Sequence, residues 1–263
     1  MKILFLGTGT SHGVPSIDCM INEYSNCPKA VCKSSVQDKK HRRTRSSILI
    51  ETAEGNILVD VSADFRYQAL RESVKRIDAV LITHGHADHV GGIPDIRSYT
   101  TENALPFFGS SETVETIKKT FDYIFDPSTF VGGGIPKIKI DVIENEITMF
   151  GYRVTPIKVI HGSLRGAYGY RIGPVGYIPD MKAITDVEMS KLRGVDTLIL
   201  NCLRVGPLHS SHLTLAESVR LAKQIGPRRC YFIHMCHDIH YELDSSELES
   251  WMEFSFDGLK IEI

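Results

Sequence analysis

The residues with the clearest capacity for chemistry lie in one short stretch, His84-Gly-His86-Ala-Asp88-His89. Three imidazoles and one carboxylate occur within six residues, and these groups bind zinc, manganese or iron. The apolar run 79–83 before them predicts a buried strand. Because residues two apart at a strand end point to the same side, His84 and His86 can face one metal ion together. Asp88 and His89 can then turn toward a second ion, so the stretch predicts a metal site.

Three further candidate ligands each follow an apolar run that predicts a strand, namely His161, Asp180 and His234. An open sheet delivers side chains to a crevice at the ends of its strands. Taken singly, each of these residues is better explained as a polar group that caps a turn. Together with the central stretch, they favour one site for two metal ions.

The elements that must position these residues are strands and helices in each half of the chain. Strands are predicted at 2–6, 46–51, 56–61, 79–83, 137–142, 153–160, 168–172, 175–178, 197–200, 230–233 and 259–263, and helices at 64–74, 112–121, 184–192 and 215–224. Residues 19–45 show no periodicity and predict a loop. Since no repeat or linker divides the chain, we expect one α/β domain over 1–263, with two mixed sheets between helical layers.

The composition of the 263 residues is that of an ordinary globular protein, with 42% hydrophobic and 24% charged residues. The net charge of -2 gives no reason to expect nucleic acid or an anionic membrane as partner. No apolar run approaches the roughly 20 residues of a membrane span, and Gly7 interrupts the first apolar run too early for a signal peptide. We therefore expect a cytoplasmic protein, in which three clustered cysteines indicate metal rather than disulfides.

The order of the seven candidate ligands resembles that of the metallo-β-lactamase superfamily over nearly the whole chain. This resemblance implies an αββα sandwich with the site between the sheet edges. It also implies that the first metal is held by His84, His86 and His161, the second by Asp88, His89 and His234, and that Asp180 bridges them. Asp60 matches a family aspartate whose expected role is to orient a ligand histidine from behind. Two such ions lower the pKa of a shared water and stabilise charge on a phosphoryl or carbonyl centre.

The opening Leu6-Gly-Thr-Gly9, followed by Gly13-Val14-Pro15 and Cys19, is similar to the PhnP-like phosphodiesterases, which are relatives of ribonuclease Z. The resemblance implies a separate structural zinc held by Cys19, Cys27, Cys32 and His237. The spacing Cys-x7-Cys-x4-Cys is wider than in that family, so residues 20–26 must loop out. The resemblance also implies a homodimer.

His212 is implied, by the same resemblance, as the general acid that protonates the leaving group. A surface or cap-forming role for His212 stays open, and His209 in the same loop is a weaker candidate. The basic run 39–45 could meet phosphate or RNA, but it is more typical of a solvated loop.

We therefore expect a hydrolase with two divalent ions, Zn or Mn, that uses metal-activated hydroxide on a small or cyclic phosphodiester. A ribonuclease Z-like enzyme is an alternative, although no insertion is suited to grip tRNA. A glyoxalase II-like thioester or acyl hydrolase uses the same ligands and is also open. A non-catalytic metal-binding protein is least favoured, because structural sites are normally closed by four ligands.

Overall fold

The strands of the protein form two sheets. The structure is a computed structural model, which describes residues 1–100, 103–130, 132 and 134–263. The strands are β1 (Lys2–Gly7), β2 (Ser47–Glu51), β3 (Asn56–Val59), β4 (Ala79–Leu81), β5 (Leu105–Gly109), β6 (Ile138–Val142), β7 (Ile147–Met149), β8 (Tyr152–Lys158), β9 (Tyr168–Ile172), β10 (Val175–Ile178), β11 (Thr197–Asn201), β12 (Arg229–Ile233), β13 (Met252–Phe254) and β14 (Lys260–Glu262).

Each sheet contains both antiparallel and parallel pairs. The order in the first sheet is β14-β1-β2-β3-β4-β5-β6, and the order in the second is β13-β12-β11-β10-β9-β8-β7. Pairing is antiparallel from β14 to β3 and from β7 to β10, and it is parallel from β3 to β6 and from β10 to β13. The prediction of two mixed sheets flanked by helices is confirmed.

The helices are short and connect the strands. They are α1 (Ile17–Ile21), α2 (Val31–Gln37), α3 (Phe65–Glu72), α4 (Ala87–Val90), α5 (Ser111–Thr120), α6 (Asp122–Phe125), α7 (Asp186–Ser190), α8 (Leu215–Ile225) and α9 (Tyr241–Asp244), with 3-10 turns at Pro28–Ala30, Lys39–His41, Ile93–Tyr99 and Ser245–Glu247. Among the residues that the structure describes, no helix has the length and apolar character needed to cross a membrane.

The core lies between the sheets and also under each helical layer, because alternate strand residues point to opposite faces. In β1, Ile3 and Phe5 pack into the cluster between the two sheets, whereas Leu4 and Leu6 pack toward the helices of the first sheet. Tyr170 in β9 crosses the interface, and its hydroxyl donates to the carbonyl of Ile82 at 2.7 Å. The second sheet therefore braces the chain two residues before His84.

Two predictions for the N-terminal region are wrong. Residues 19–45 are not a loop throughout, since they carry most of α1, α2 and two 3-10 turns. The basic run 39–45 is not simply solvated, because the fully buried Arg43 guanidinium donates to the carbonyls of Cys236 (2.7 Å) and Ile239 (2.8 Å). Arg45 pairs with Asp64 at 3.0 Å. These side chains fasten the region to distant parts of the chain.

Candidate metal centre and active site

The candidate ligands lie where strands end, at one edge of the sandwich. Strand β4 leads into His84 and His86, and the single turn of α4 then carries Asp88 and His89. Three later strands end just before one ligand each, β8 before His161, β10 before Asp180 and β12 before His234. The structure thus brings all seven predicted ligands together, in the groups His84, His86, His161 and Asp88, His89, Asp180, His234.

The first group consists of three imidazoles that converge on one point. His84 Nε2 lies 3.0 Å from His86 Nδ1, and the ring of His161 is centred 5.1 Å from that of His84. His161 Nδ1 donates to the carbonyl of Ser211 at 2.9 Å, so its Nε2 keeps a free electron pair. Ligand atoms on a tetrahedral ion with bonds of about 2.0–2.1 Å are about 3.3 Å apart. The group therefore fits one metal ion.

The second group surrounds Asp180, which also reaches the first group. Asp180 Oδ2 lies 2.7 Å from His89 Nε2 and 3.8 Å from His84 Nε2. Its other oxygen, Oδ1, lies 3.1 Å from His234 Nε2. Asp88 Oδ2 approaches His89 Nε2 at 3.3 Å. The carboxylate of Asp180 thus stands between the two groups, as a bridging ligand must.

Burial and charge in this centre also fit two cations. Burial would raise the pKa of Asp180, yet the imidazoles of His234, His212 and His89 hold it well below its usual range. Burial lowers the pKa of His84 well below its usual value and that of His234 to about 4, so both rings are neutral, as metal ligands must be.

Unpartnered polar atoms in the centre indicate what is needed to complete it. Both oxygens of Asp180 and Nε2 of His89 are buried, and although they lie close to one another, none of them makes a hydrogen bond of good geometry. Although burial lowers it, the pKa of His89 is raised well above its usual value by Asp88, Asp60 and Asp180, so this point favours positive charge. Buried polar atoms of this kind require a partner, and a divalent cation supplies both the charge and the missing contacts.

Asp60 lies behind His89 and holds its orientation. Asp60 Oδ2 is 2.8 Å from His89 Nδ1, and the backbone N–H of Thr83 donates to Oδ1 at 2.8 Å. This contact places the Nδ1 proton toward Asp60 and leaves Nε2 to face the metal centre. Asp60 has a φ of 63° and His234 a φ of 61°, conformations that non-glycine residues rarely adopt and that cluster at functional sites.

Replacement of Asp60 by asparagine is expected to weaken metal binding and lower activity, each about 10–100-fold, because the amide no longer fixes the tautomer of His89. Metal affinity measured with a chelator in competition, beside thermal unfolding of the same variant, checks this. A well-folded variant with wild-type metal affinity would contradict the assigned role.

Ser46 has a comparable role for His234, and no sequence motif predicted it. The Ser46 hydroxyl donates to the carbonyl of Gly9 at 2.9 Å, so it can accept the Nδ1 proton of His234 at 3.2 Å. His234 Nε2 is thereby left for the metal. The two side chains are 188 residues apart in the chain, and this separation left no local signal.

His212 lies beside the metal centre, in a cleft of about 330 Å³. Its Nδ1 is 2.9 Å from Asp180 Oδ1, and its ring stacks on that of His234 at 5.0 Å. His209 is one ring further out, 5.0 Å from His212, and its Nδ1 accepts the backbone N–H of Ser211. His12 and Arg204 also line the cleft. The contact with Asp180 therefore favours His212 over His209 as the acid.

The cysteine cluster is a separate group of potential ligands. The ligand atoms of Cys19, Cys27, Cys32 and His237 all lie within 4.8 Å of one another, and Cys19 Sγ is 3.0 Å from His237 Nδ1. The expected loop over 20–26 forms only in part, because Met20 and Ile21 end α1 and the turn over 22–26 follows, with left-handed backbone at Glu23 (φ 51°) and Tyr24 (φ 60°). Burial raises the pKa of Cys32 to about 12. The set is one that zinc takes in structural sites.

Comparison with known proteins agrees with this geometry. Residues 55–235 match the model of the β-lactamase superfamily domain. A solved structure of a diphosphatase from the PhnP family is 36% identical, with a TM-score of 0.87, and the match covers 100% of this chain and 97% of that one. Zn²⁺-bound PqqB from Methylobacterium extorquens is 19% identical over the full length of both chains and shares the fold, with a TM-score of 0.78.

A curated relative is longer than this chain. An octanoyltransferase of Porphyromonas gingivalis (strain ATCC BAA-308 / W83) is 34% identical over 266 residues, which cover 99% of this chain. The chain spans about half the length of that relative, 51%. The name octanoyltransferase therefore describes a longer protein, and this chain matches only about half of it.

Proposed function

The chain belongs to the β-lactamase superfamily and, within it, to the PhnP family, and from this premise we propose that it hydrolyses a small or cyclic phosphodiester. The observation that carries this proposal is the position of the buried Asp180 carboxylate between two groups of ligands, where neither oxygen makes a hydrogen bond of good geometry. His84, His86 and His161 would hold one divalent ion, and Asp88, His89 and His234 the other. Such a pair supplies an activated water and neutralises developing charge on the phosphoryl oxygens.

The other side chains of the site have separate roles in proton transfer and in substrate binding. His212 Nδ1 lies 2.9 Å from Asp180 Oδ1 and its ring lines the cleft, so a proton on its second nitrogen can pass to the departing oxygen. Arg204 and His12 line the same cleft and suit an anionic substrate. His84, Asp180 and His234 lie deep in the site, each 1–2% exposed, whereas His86 is exposed at its mouth.

Replacement of His212 by glutamine should affect diesters according to their leaving group. A p-nitrophenolate departs without a proton, so we expect a loss below about tenfold in kcat for that group. An alkoxide leaving group needs the proton, so kcat for a diester with that group should fall about 100-fold or more. Steady-state rates for the two diesters check this, and equal losses for both would contradict a general acid.

A diphosphate is the second candidate substrate, because the relative that is 36% identical is described as a diphosphatase. Both reactions break a P–O bond by the same in-line attack, and the metal ligands do not distinguish them. A panel of a 2′,3′-cyclic nucleotide, a nucleoside diphosphate, a short RNA and an acyl thioester separates the candidates. Turnover of the cyclic diester above the others supports the proposal. Turnover of the thioester alone would replace it with acyl hydrolysis.

A further inference from the structure

A third cluster of metal-binding side chains lies outside both groups described above. It consists of His41 in the 3-10 turn Lys39–His41, His240, and Glu242 in α9. Glu242 Oε2 is 3.2 Å from His41 Nε2 and 3.3 Å from His240 Nδ1. The two imidazole rings are centred 4.5 Å apart. The two distances from Glu242 Oε2 match the edges of a tetrahedral zinc site, which are about 3.3 Å.

One contact of the cluster is an ordinary hydrogen bond, between His41 Nε2 and Glu242 Oε2 at 3.2 Å, but the contact between Glu242 and His240 is not. His240 caps α9, and its Nδ1 accepts the backbone N–H of Leu243 at 3.4 Å, so this nitrogen carries no proton. It nevertheless faces a carboxylate oxygen at 3.3 Å. Two electron-pair donors at such a distance repel each other unless a cation or a proton lies between them.

His41 adds a second indication of a ligand. Its side chain is only 3% exposed, and the nitrogen that faces Glu242 is Nε2, so the unpartnered Nδ1 can carry the ring proton when Nε2 binds a cation. Burial and the nearby Arg43 guanidinium lower the pKa of His41, which keeps the ring neutral. A buried neutral imidazole beside a carboxylate is a prepared metal ligand.

We propose that His41, His240 and Glu242 form a further metal site that takes Zn²⁺ or a similar divalent cation through two imidazole nitrogens and one carboxylate oxygen. The ion fastens the segment after His41 to the segment that starts α9. Glu242 is exposed, which leaves the fourth position open to water.

The test is a calorimetric titration of Zn²⁺ into protein whose other sites are already filled. We expect one additional binding event per wild-type chain, lost in Glu242→Gln and His240→Asn. Asparagine is a good N-cap, so the second variant keeps α9 while removing the imidazole. Glu247→Gln, which changes an exposed carboxylate in the adjacent turn, should keep the event.

No added event in the wild-type chain, or an event that persists in both variants, would overturn the proposal. Phosphodiesterase activity measured on the same samples separates this result from the proposed function, because none of the three residues contacts the metal centre in the structure described.

Discussion

Replacement of Asp180 by alanine is expected to lower kcat/KM for a phosphodiester at least about 1,000-fold. Asp180 reaches ligands of both groups, at 3.8 Å from His84 and 2.7 Å from His89. Its loss removes the carboxylate that lies beside imidazoles of both groups, so neither group keeps its shared ligand. Charge stabilisation by a metal pair is worth several kcal/mol, and each 1.36 kcal/mol is about tenfold in rate. The measurement is hydrolysis of bis(p-nitrophenyl) phosphate together with metal content per chain.

The matched control is Asp186→Ala, an exposed aspartate in the first turn of α7. It should keep both the metal content and the rate of the wild-type protein. Activity of Asp180→Ala within tenfold of the wild type would show that the assigned bridging residue is not needed.

The second large effect is expected on stability. Replacement of Cys27 by serine should lower the free energy of unfolding by roughly 4 kcal/mol, and Tm by about 10 °C, because loss of a structural metal is among the few changes of that size. The cluster of Val14, Cys19, Val31 and Cys32 is too small a core to hold residues 16–45 alone. Calorimetry with zinc analysis measures both quantities. Because the pKa values of Cys27 and Cys32 are raised, zinc must displace protons and should bind more tightly as pH rises.

Cys236→Ser is the control for this change. Cys236 has the same intermediate exposure as Cys27 but lies outside the four-ligand cluster. It should retain the zinc and lose little stability. Equal effects of the two variants, or wild-type stability after zinc removal, would contradict a structural zinc.

The metal centre could be predicted well because its signals are local. His84, His86, Asp88 and His89 follow one buried strand, and each later ligand follows a strand whose apolar run is plain in the sequence. The strands β9 and β10 were predicted with the observed bounds for the same reason. The spacing of the apolar residues indicates which residues of each strand or helix are buried, and the resulting order of strands and helices indicates the fold class.

Other features depend on contacts between distant residues and left no such signal. Strands β5, β7 and β13 have no predicted counterpart, since they are short or interrupted by proline and gain their pairing from neighbours. The basic run indicated solvent because charge usually does, yet Arg43 is buried against carbonyls some 193–196 residues away. The roles of Ser46 and of the cluster around His41 are invisible for the same reason.

The central claim is that two divalent ions at this site hydrolyse a phosphodiester. The most direct measurement is turnover of bis(p-nitrophenyl) phosphate by protein reloaded with manganese or zinc, plotted against the metal bound per chain. We expect turnover that requires metal and that rises as the two positions around Asp180 fill. The Asp180→Ala variant should show no turnover. Two ions bound at these positions without turnover of any phosphodiester would contradict it and favour acyl or thioester hydrolysis.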